Sequence, residues 1–175
     1  MPAAAYLVTG IPGAGKTTVA RLLAARLPRA VHIEADRLQE WIVSGGLWPD
    51  EEPHEEAMRQ LEQRAMHAAR LATSYHEAGF TPVIDDVVVG RRRLEVYEWH
   101  LRVRPLAVVV LAPPLEVVLG RDRARGYKYV GDRWAHLDAD QREQLGGIGL
   151  WLDTGALTPE ETVDRILASP PAPGD

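Results

Sequence analysis

The feature that most constrains this chain is a glycine loop of eight residues, Gly10-Ile11-Pro12-Gly13-Ala14-Gly15-Lys16-Thr17. It matches G-x-x-x-x-G-K-[S/T], the P-loop pattern, in which backbone N–H groups cradle phosphates. The apolar residues 4–9 before the loop predict a buried strand, and residues 17–27 after it repeat apolar side chains at helical spacing. Because strand, loop and helix are the context that the motif requires, the sequence predicts a phosphate-binding loop and not an ordinary glycine turn.

The residue types in the loop predict a nucleotide site with a magnesium ion. Gly10, Gly13 and Gly15 let the backbone turn its N–H groups inward, and the start of the helix adds a partial positive charge. Lys16 is predicted to reach the β- and γ-phosphates, the Thr17 hydroxyl to bind Mg²⁺, and Thr18 to belong to the same nucleotide site. ATP is the expected nucleotide, and the motif leaves GTP open.

Apolar segments alternate with helical patterns along the rest of the chain. Strands are predicted at residues 30–34, 81–85, 106–111 and 150–153, and helices at residues 36–43, 54–78, 91–101, 114–125 and 159–167. This alternation predicts an α/β fold of the P-loop NTPase type, with a five-stranded parallel sheet covered by helices on both faces. We expect a single domain over residues 1–168 and a disordered tail at residues 169–175. The predicted apolar face of the longest helix consists of Met58, Leu61, Ala65, Ala68, Ala72 and Tyr75.

Composition and charge narrow the classes of partner. The formal net charge of −5 argues against a large nucleic-acid footprint, which normally appears as a basic surface. The chain has no cysteine, so disulfides, thiol chemistry and thiolate metal sites are excluded. With no signal-peptide pattern and no apolar run near the roughly 18 residues of a membrane span, we expect a cytoplasmic protein that is not embedded in a membrane. The oligomeric state is left open.

Three aspartates follow the predicted second and third strands. In parallel sheets, ligands bind beyond the carboxyl ends of the strands, so these carboxylates belong to the candidate site. From its position alone, Asp36 is equally a general base for a substrate hydroxyl or the N-cap of the helix that begins there. Asp85 ends an apolar strand and is predicted to support Mg²⁺, whereas Asp86, on the opposite side of the strand, is predicted to contact the substrate. The alternative for this pair is that one of them caps the following loop.

Basic and aromatic residues predict the remaining parts of the site. The basic residues 121–128 leave a helix and enter a weakly periodic stretch, which predicts an arginine-rich lid over residues 121–144. Its guanidinium groups are expected to neutralise charge on the phosphoryl group, whereas the arginines at 91–93 are interpreted as solvated surface. Trp41 and Trp48 are candidates for the wall of a substrate pocket, although core packing is the favoured interpretation for Trp41. His32 is interpreted as a strand residue without a metal.

On these residues the chain resembles the small P-loop kinases, and most closely chloramphenicol phosphotransferase and its relatives, with shikimate and gluconate kinases more distant. The resemblance rests on residues 10–18, Ala35-Asp36-Arg37-Leu38, the Asp-Asp-Val segment within residues 83–90, residues 121–126 and Leu152-Asp153-Thr154. It implies that Asp36 takes the proton from a primary hydroxyl and that Arg121 and Arg125 are catalytic lid arginines. It also implies that Asp153 and Thr154 lie near the nucleotide base. The match does not extend to residues 41–78, so it indicates the reaction class more firmly than the substrate.

The expected function is therefore transfer of a phosphoryl group from ATP to a hydroxyl of a small molecule, with an antibiotic as one candidate acceptor. The alternatives are a polynucleotide or nucleoside 5′-hydroxyl kinase and a nucleotide-binding module without catalysis. A GTPase switch would need an N-K-x-D segment, which is absent. Arg37 is predicted to lie on the substrate side beside Asp36. Because only Arg37, Arg59 and Arg64 are available there to grip a carboxylate, we expect a partly apolar acceptor and not a sugar acid.

Overall fold

The structure, a computed structural model, describes residues 4–125 and 136–169, and within residues 122–125 the backbone alone. The strands are β1 (Ala5–Thr9), β2 (Ala30–Glu34), β3 (Thr81–Asp85), β4 (Leu106–Leu111) and β5 (Leu150–Leu152). The helices are α1 (Lys16–Arg26), α2 (Ala35–Glu40), α3 (His54–Glu77), α4 (Arg91–His100), α5 (Leu115–Arg125), α6 (His136–Leu145) and α7 (Pro159–Ala168).

The strands form one sheet in the order β2-β3-β1-β4-β5, and every neighbouring pair is parallel. The predicted α/β fold with a five-stranded parallel sheet is therefore confirmed. The register places Asp85 of β3 opposite Val8 of β1 on one side and opposite Glu34 of β2 on the other. All five strands consequently end at the same edge of the sheet, where the residues after β1, β2, β3 and β5 meet.

Helices cover both faces of the sheet, and the alternation of side chains along each strand divides the core in two. Val8 and Val83 point to the face covered by α1, α5 and α7, whereas Leu7 and Ile84 point to the face covered by α3 and α4. Strands buried on both faces are typically apolar throughout, and the sequence LAVVVL of β4 shows this pattern. The same alternation sends the two consecutive aspartates after Ile84 to opposite faces.

Local signals set the ends of several helices. Gly79, with a φ angle of 83°, follows the end of α3, as its position after the apolar pattern predicts. At the start of α7, the Thr158 hydroxyl accepts a hydrogen bond from the backbone N–H of Glu161 at 3.1 Å. In return, the Glu161 carboxylate accepts one from the Thr158 N–H at 2.8 Å. This reciprocal cap holds the chain where it leaves β5 and the loop that follows it.

The structure differs from the prediction in two segments. The second half of the predicted lid, residues 136–144, lies in α6, whose Gln141 and Leu145 are buried against the rest of the fold. Residues 126–135 of that lid and the tail from residue 170 lie outside the described residues. Trp41 is not in the core, since 70% of its surface is exposed. Among the described residues, no helix has the length and apolar character needed to cross a membrane.

Candidate functional site

The P-loop turns at the carboxyl end of β1 and leads into α1. Gly13 and Gly15 have φ angles of 86° and 96°, which residues with side chains rarely adopt. A Cβ atom on Gly13 would also lie 2.8 Å from Cγ1 of Val118, so the loop packs directly against α5. Gly15 is the N-cap of α1 and offers no side-chain cap. The N–H groups of the first turn are therefore available to an anion such as a phosphate.

Lys16 lies half-buried at the start of α1 and is electrostatically linked to three carboxylates. Its Nζ donates a hydrogen bond to the backbone oxygen of Ile11 at 3.2 Å. Burial lowers the pKa of Lys16, and the charges of Asp85, Asp36 and Asp86 act against that decrease. All three aspartates that the sequence assigned to the site therefore act electrostatically on the P-loop lysine.

Asp85 and Thr17 provide two oxygen atoms at the end of β3 and the first turn of α1. The Thr17 hydroxyl donates to Oδ1 of Asp85 at 3.4 Å. Magnesium prefers oxygen ligands and keeps several waters, so it commonly takes only one or two protein ligands together with phosphate oxygens. Thr17 and Asp85 thus fit the predicted role.

His32 also contacts Asp85, which the sequence did not lead us to expect. Its Nε2 lies 2.5 Å from Oδ2 of Asp85, and its Nδ1 lies 3.9 Å from a carboxylate oxygen of Glu34. The contact requires β2 to lie beside β3. Because the order of strands in a sheet is not visible in the residues around His32, no local pattern marked it as a site residue.

Asp86 is enclosed on the opposite face of the sheet. Its Oδ1 accepts hydrogen bonds from Arg64 at 2.6 Å and from the backbone N–H of Val87 at 2.9 Å, and its Oδ2 accepts one from the Tyr97 hydroxyl at 2.8 Å. The side chain has no exposed surface. The prediction that Asp86 contacts the substrate is therefore wrong, because both of its oxygens are already bonded inside the protein. The interpretation of Asp86 as a partner of buried groups replaces it.

Arg64 joins Asp86 to Asp36. Its Nη1 lies 2.9 Å from Oδ1 of Asp36, and only 4% of its side chain is exposed. Although burial by itself lowers the pKa of Arg64, Asp86 and Asp36 raise it, so the guanidinium stays charged. Its Nε is buried without a hydrogen-bond partner among the described residues, which adds to the cost of enclosing this charge. The sequence indicates Arg64 only as a possible partner for an acceptor carboxylate, whereas in the structure it already pairs with Asp36 and Asp86.

Asp36 is the most accessible of the three aspartates, with 58% of its side chain exposed. Glu34, not Asp36, occupies the N-cap position of α2, and the structure shows no side-chain cap there. The capping interpretation of Asp36 is therefore wrong. The protein that covers the rest of the side chain partly desolvates the carboxylate and raises the pKa of Asp36, and Arg64 opposes that rise. Because the carboxylate remains open to solvent while Arg64 fixes one of its oxygens, it can meet an incoming group.

Arg93 departs from the expectation that residues 91–93 form ordinary solvated surface. Arg91 and Arg92 do pair with glutamates on the exposed surface. Arg93 is instead partly buried, and it donates a hydrogen bond to the backbone oxygen of Leu61 at 2.9 Å. Burial lowers its pKa, with Asp86 acting in the opposite direction. The basic run thus contributes one cation to the surroundings of the buried ion pair.

Arg121 connects the P-loop with the segment after β5. Its Nη2 donates to the backbone oxygen of Thr154 at 3.0 Å, and its Nη1 lies 4.0 Å from the position that a Cβ atom of Gly15 would occupy. Arg121 thus stands at the edge of the phosphate-binding loop. Arg125 is the last residue of α5, and its side chain lies outside the described residues.

A cavity of about 430 Å³ lies beside this connection, between the start of α5 and the loop after β5. Its lining residues are Pro114, Val117, Asp153, Gly155, Ala156, Leu157 and Arg165. Asp153 accepts a hydrogen bond from the backbone N–H of Gly155 at 2.8 Å, which holds the loop closed. The hydroxyl of Thr154 is buried and lacks a hydrogen-bond partner in the structure. Asp153, which was predicted to lie near the nucleotide base, therefore lines this cavity.

Trp41 and Arg37 are not joined to the aspartate cluster by direct contacts that the structure describes. Trp41 lines an open groove of about 350 Å³ together with Leu38 and residues 67–74 of α3. Arg37 pairs with Glu34 and Glu40 at the surface. The roles of both residues in substrate binding stay predictions.

A buried pair of glutamines anchors the loop that follows Trp41 and carries Trp48. The Gln39 amide donates to the backbone oxygen of Leu47 at 2.9 Å and to the side chain of Gln60 at 3.1 Å. Gln60 in turn accepts from the N–H of Leu47 and donates to the oxygen of Gly45, both at 2.8 Å. Gln60 lies one helical turn before Arg64, so the anchored loop stands next to the ion pair.

Comparison with known proteins gives a family and a fold. The family model described as AAA domain matches residues 7–146. A UPF0200 protein of Aeropyrum pernix is 36% identical over 110 residues, which are 61% of this chain and 57% of that protein. An adenylyl-sulfate kinase of Myxococcus xanthus is 28% identical over 124 residues, or 69% of this chain and 64% of that protein. The match therefore spans less than two thirds of the length of either relative.

Solved structures share the whole architecture at low sequence identity. A sugar kinase from Janibacter sp. superposes with a TM-score of 0.70 at 20% identity, covering 94% of this chain and 92% of that one. A tunicamycin resistance protein of Deinococcus radiodurans gives a TM-score of 0.67 at 22% identity, covering 94% and 93%. At such identities the likeness establishes the fold alone. The narrower resemblance to chloramphenicol phosphotransferase stays a prediction.

Proposed function

This chain belongs to the AAA domain family, and on that premise we propose that it is a kinase that transfers the γ-phosphoryl group of ATP to a hydroxyl of a small molecule. The observation that carries the proposal is the position of Asp36. An accessible carboxylate, held by the buried Arg64, lies within electrostatic reach of the P-loop Lys16. A protein that only binds a nucleotide would need the P-loop and Lys16, but it would not need an accessible carboxylate near them.

In this proposal Asp36 is the general base. It accepts the proton of the acceptor hydroxyl while the hydroxyl oxygen bonds to the γ-phosphorus and the bond from that phosphorus to the β–γ bridging oxygen breaks, which releases ADP. The raised pKa of Asp36 makes it a stronger base than an ordinary aspartate. Arg64 keeps it ionised and fixes its orientation, and Asp86 fixes Arg64 in turn.

The P-loop side holds the nucleotide. The N–H groups of the first turn of α1 and the ammonium group of Lys16 would bind the phosphates, and Arg121 would neutralise charge on the group in transfer. Thr17 and Asp85 would hold a magnesium ion, which when bound neutralises charge on the phosphate oxygens. The base of the nucleotide would occupy the cavity lined by Asp153 and Gly155.

The acceptor is proposed to be a partly apolar molecule without a carboxylate. The three arginines that the sequence assigned to the acceptor side each have carboxylate partners already: Arg37 pairs with Glu34 and Glu40, Arg59 with Glu56, and Arg64 with both aspartates. An acceptor with a carboxylate, such as a sugar acid, would have to displace one of these partners to form a bidentate contact with an arginine. The tunicamycin resistance protein that shares the fold makes antibiotics a justified part of any acceptor screen.

An acceptor screen with matched variants tests the proposal. ADP release is measured with ATP, magnesium and a panel of hydroxylated metabolites, antibiotics, sugar acids and 5′-hydroxyl oligonucleotides, and hits are confirmed by the mass of one added phosphoryl group. Asp36→Asn should reduce kcat by about 10²-fold or more, which is the range for loss of a general base. Asp164→Asn, which changes an exposed aspartate in a surface ion pair, is the matched control and should leave kcat unchanged.

The outcomes separate the alternatives. Phosphorylation of oligonucleotides alone would favour the 5′-hydroxyl kinase, and phosphorylation of sugar acids alone would overturn the inference about the acceptor. An Asp36→Asn variant with wild-type kcat would refute Asp36 as the base. Nucleotide binding without turnover for any acceptor would favour a binding module.

A further inference from the structure

His32 reaches the predicted magnesium site from the edge strand β2. In the pairing of β2 with β3, His32 is opposite Val83 and Glu34 is opposite Asp85. Because side chains alternate along a strand, His32, Glu34 and Asp85 share one face of the sheet. That face is the one covered by α1, which carries Thr17. The sheet order thus places a histidine directly against the carboxylate that approaches the P-loop.

The contact between His32 and Asp85 is short and largely enclosed. Nε2 lies 2.5 Å from Oδ2, and the two side chains are 12% and 8% exposed. In the tautomer that carries its hydrogen on Nε2, the imidazole of His32 donates to this carboxylate oxygen. Hydrogen bonds to charged groups are stronger than those between neutral groups, so this contact strongly restricts rotation of the Asp85 side chain.

The two oxygens of Asp85 are divided between the strand and the loop. While Oδ2 accepts from His32, Oδ1 faces the Thr17 hydroxyl at 3.4 Å. Lys16, the residue before Thr17, is a charged group of the loop that also interacts with Asp85. An Asp85 side chain that was free to rotate could bring both oxygens to Lys16 and engage the ammonium group that the phosphates need.

We propose that His32 is a positioning residue, which holds the Asp85 carboxylate so that one oxygen stays beside Thr17 and remains available to a magnesium ion. This inference rests on the proposed function, because it assigns His32 to the metal site of that function. His32 would act through Asp85 and would touch neither the nucleotide nor the acceptor. Loss of a partner that orients a metal-binding carboxylate typically weakens metal affinity about 10–100-fold.

Calorimetric titration of the full chain tests this role without requiring turnover. Manganese replaces magnesium as the probe, and a non-hydrolysable ATP analogue is titrated with and without it. In His32→Leu, manganese affinity in the presence of the analogue should fall about 10-fold or more, while the analogue alone should bind as it does to the wild type. His32→Gln should recover most of the affinity, since its amide N–H can still reach Asp85. His76→Leu, at an exposed position of α3, is the control and should behave as the wild type.

Each result decides the inference. Equal manganese affinity in the wild type and His32→Leu would overturn the proposed role of His32 and leave the kinase proposal standing. The same conclusion would follow if His32→Leu bound the analogue without metal as poorly as it bound manganese. A wild type that binds neither manganese nor the analogue would overturn both proposals. If His32→Leu does not fold, as judged by circular dichroism, His32→Gln is compared with His32→Asn, whose shorter amide cannot span the distance. Weaker manganese binding in His32→Asn supports the role of His32, and equal binding in the two overturns it.

Discussion

Substitution of Asp86 by asparagine is expected to lower stability strongly, although Asp86 touches no ligand in the proposed function. The change keeps the size of the side chain and removes its charge. The amide can still accept a hydrogen bond from Arg64 and face the Tyr97 hydroxyl, so the loss is mainly that of a negative charge 2.6 Å from a buried guanidinium. The variant therefore isolates the electrostatic part of the interaction.

The burial of the pair sets the magnitude. Arg64 is 4% exposed and Asp86 is fully enclosed, so solvent cannot replace the lost charge. Removing one partner of a buried ion pair typically costs about 3–5 kcal/mol. Asp36 still pairs with Arg64 at 2.9 Å, which favours the lower end, about 3 kcal/mol. For a chain of this length, that loss lowers Tm by about 6–12 °C.

Thermal and urea unfolding of Asp86→Asn and Asp164→Asn measure this difference. Asp164 forms an ion pair with Arg26 in which both side chains are well exposed, and such pairs contribute about 0–1 kcal/mol. The double variant Arg64→Met/Asp86→Asn should lose less free energy of unfolding than the sum of the single variants, by about 1–3 kcal/mol. Small and equal losses in Asp86→Asn and Asp164→Asn, or strictly additive losses in the double variant, would refute the reasoning.

Three further predictions concern the site. Lys16→Ala should abolish phosphoryl transfer with an unchanged circular dichroism spectrum, since Lys16 serves phosphates and not the core; turnover at the wild-type rate would exclude the P-loop from catalysis. Arg121→Ala should reduce kcat by about 10³-fold, whereas Arg91→Ala, which removes a cation paired with surface glutamates, should leave it unchanged; similar small effects in steady-state assays would reduce Arg121 to a surface charge. Desolvation raises the pKa of Asp36, and the base acts only when it is ionised, so kcat/KM should fall as the pH decreases, with a midpoint above pH 3.8. A midpoint at or below pH 3.8 would show that the effect of Arg64 on this pKa exceeds that of desolvation.

The phosphate-binding loop and the layered architecture of the fold could be predicted from the amino-acid sequence alone. The residues of the P-loop are contiguous in sequence and each residue type has a defined role in phosphate binding. Its chemistry can therefore be predicted without knowing which residues lie nearby in the fold. The parallel sheet follows from alternating strand and helix patterns. The period of two along β3 also separated Asp85 from Asp86, and the structure confirms that Asp85 faces Thr17 while Asp86 turns to the other face.

The pairing of the charged side chains, in contrast, depends on how the strands and helices pack together. The predicted apolar face of α3 did not include Arg64, which is nevertheless buried among the small alanine side chains of that helix. Tyr75, which was assigned to that face, is exposed. The partners of Arg64 come from the ends of two different strands, and the contact of His32 with Asp85 depends on β2 lying beside β3. Periodicity reports which face of its own element a residue occupies. The pairing of charges far apart in sequence depends on how the elements pack, which no local pattern encodes.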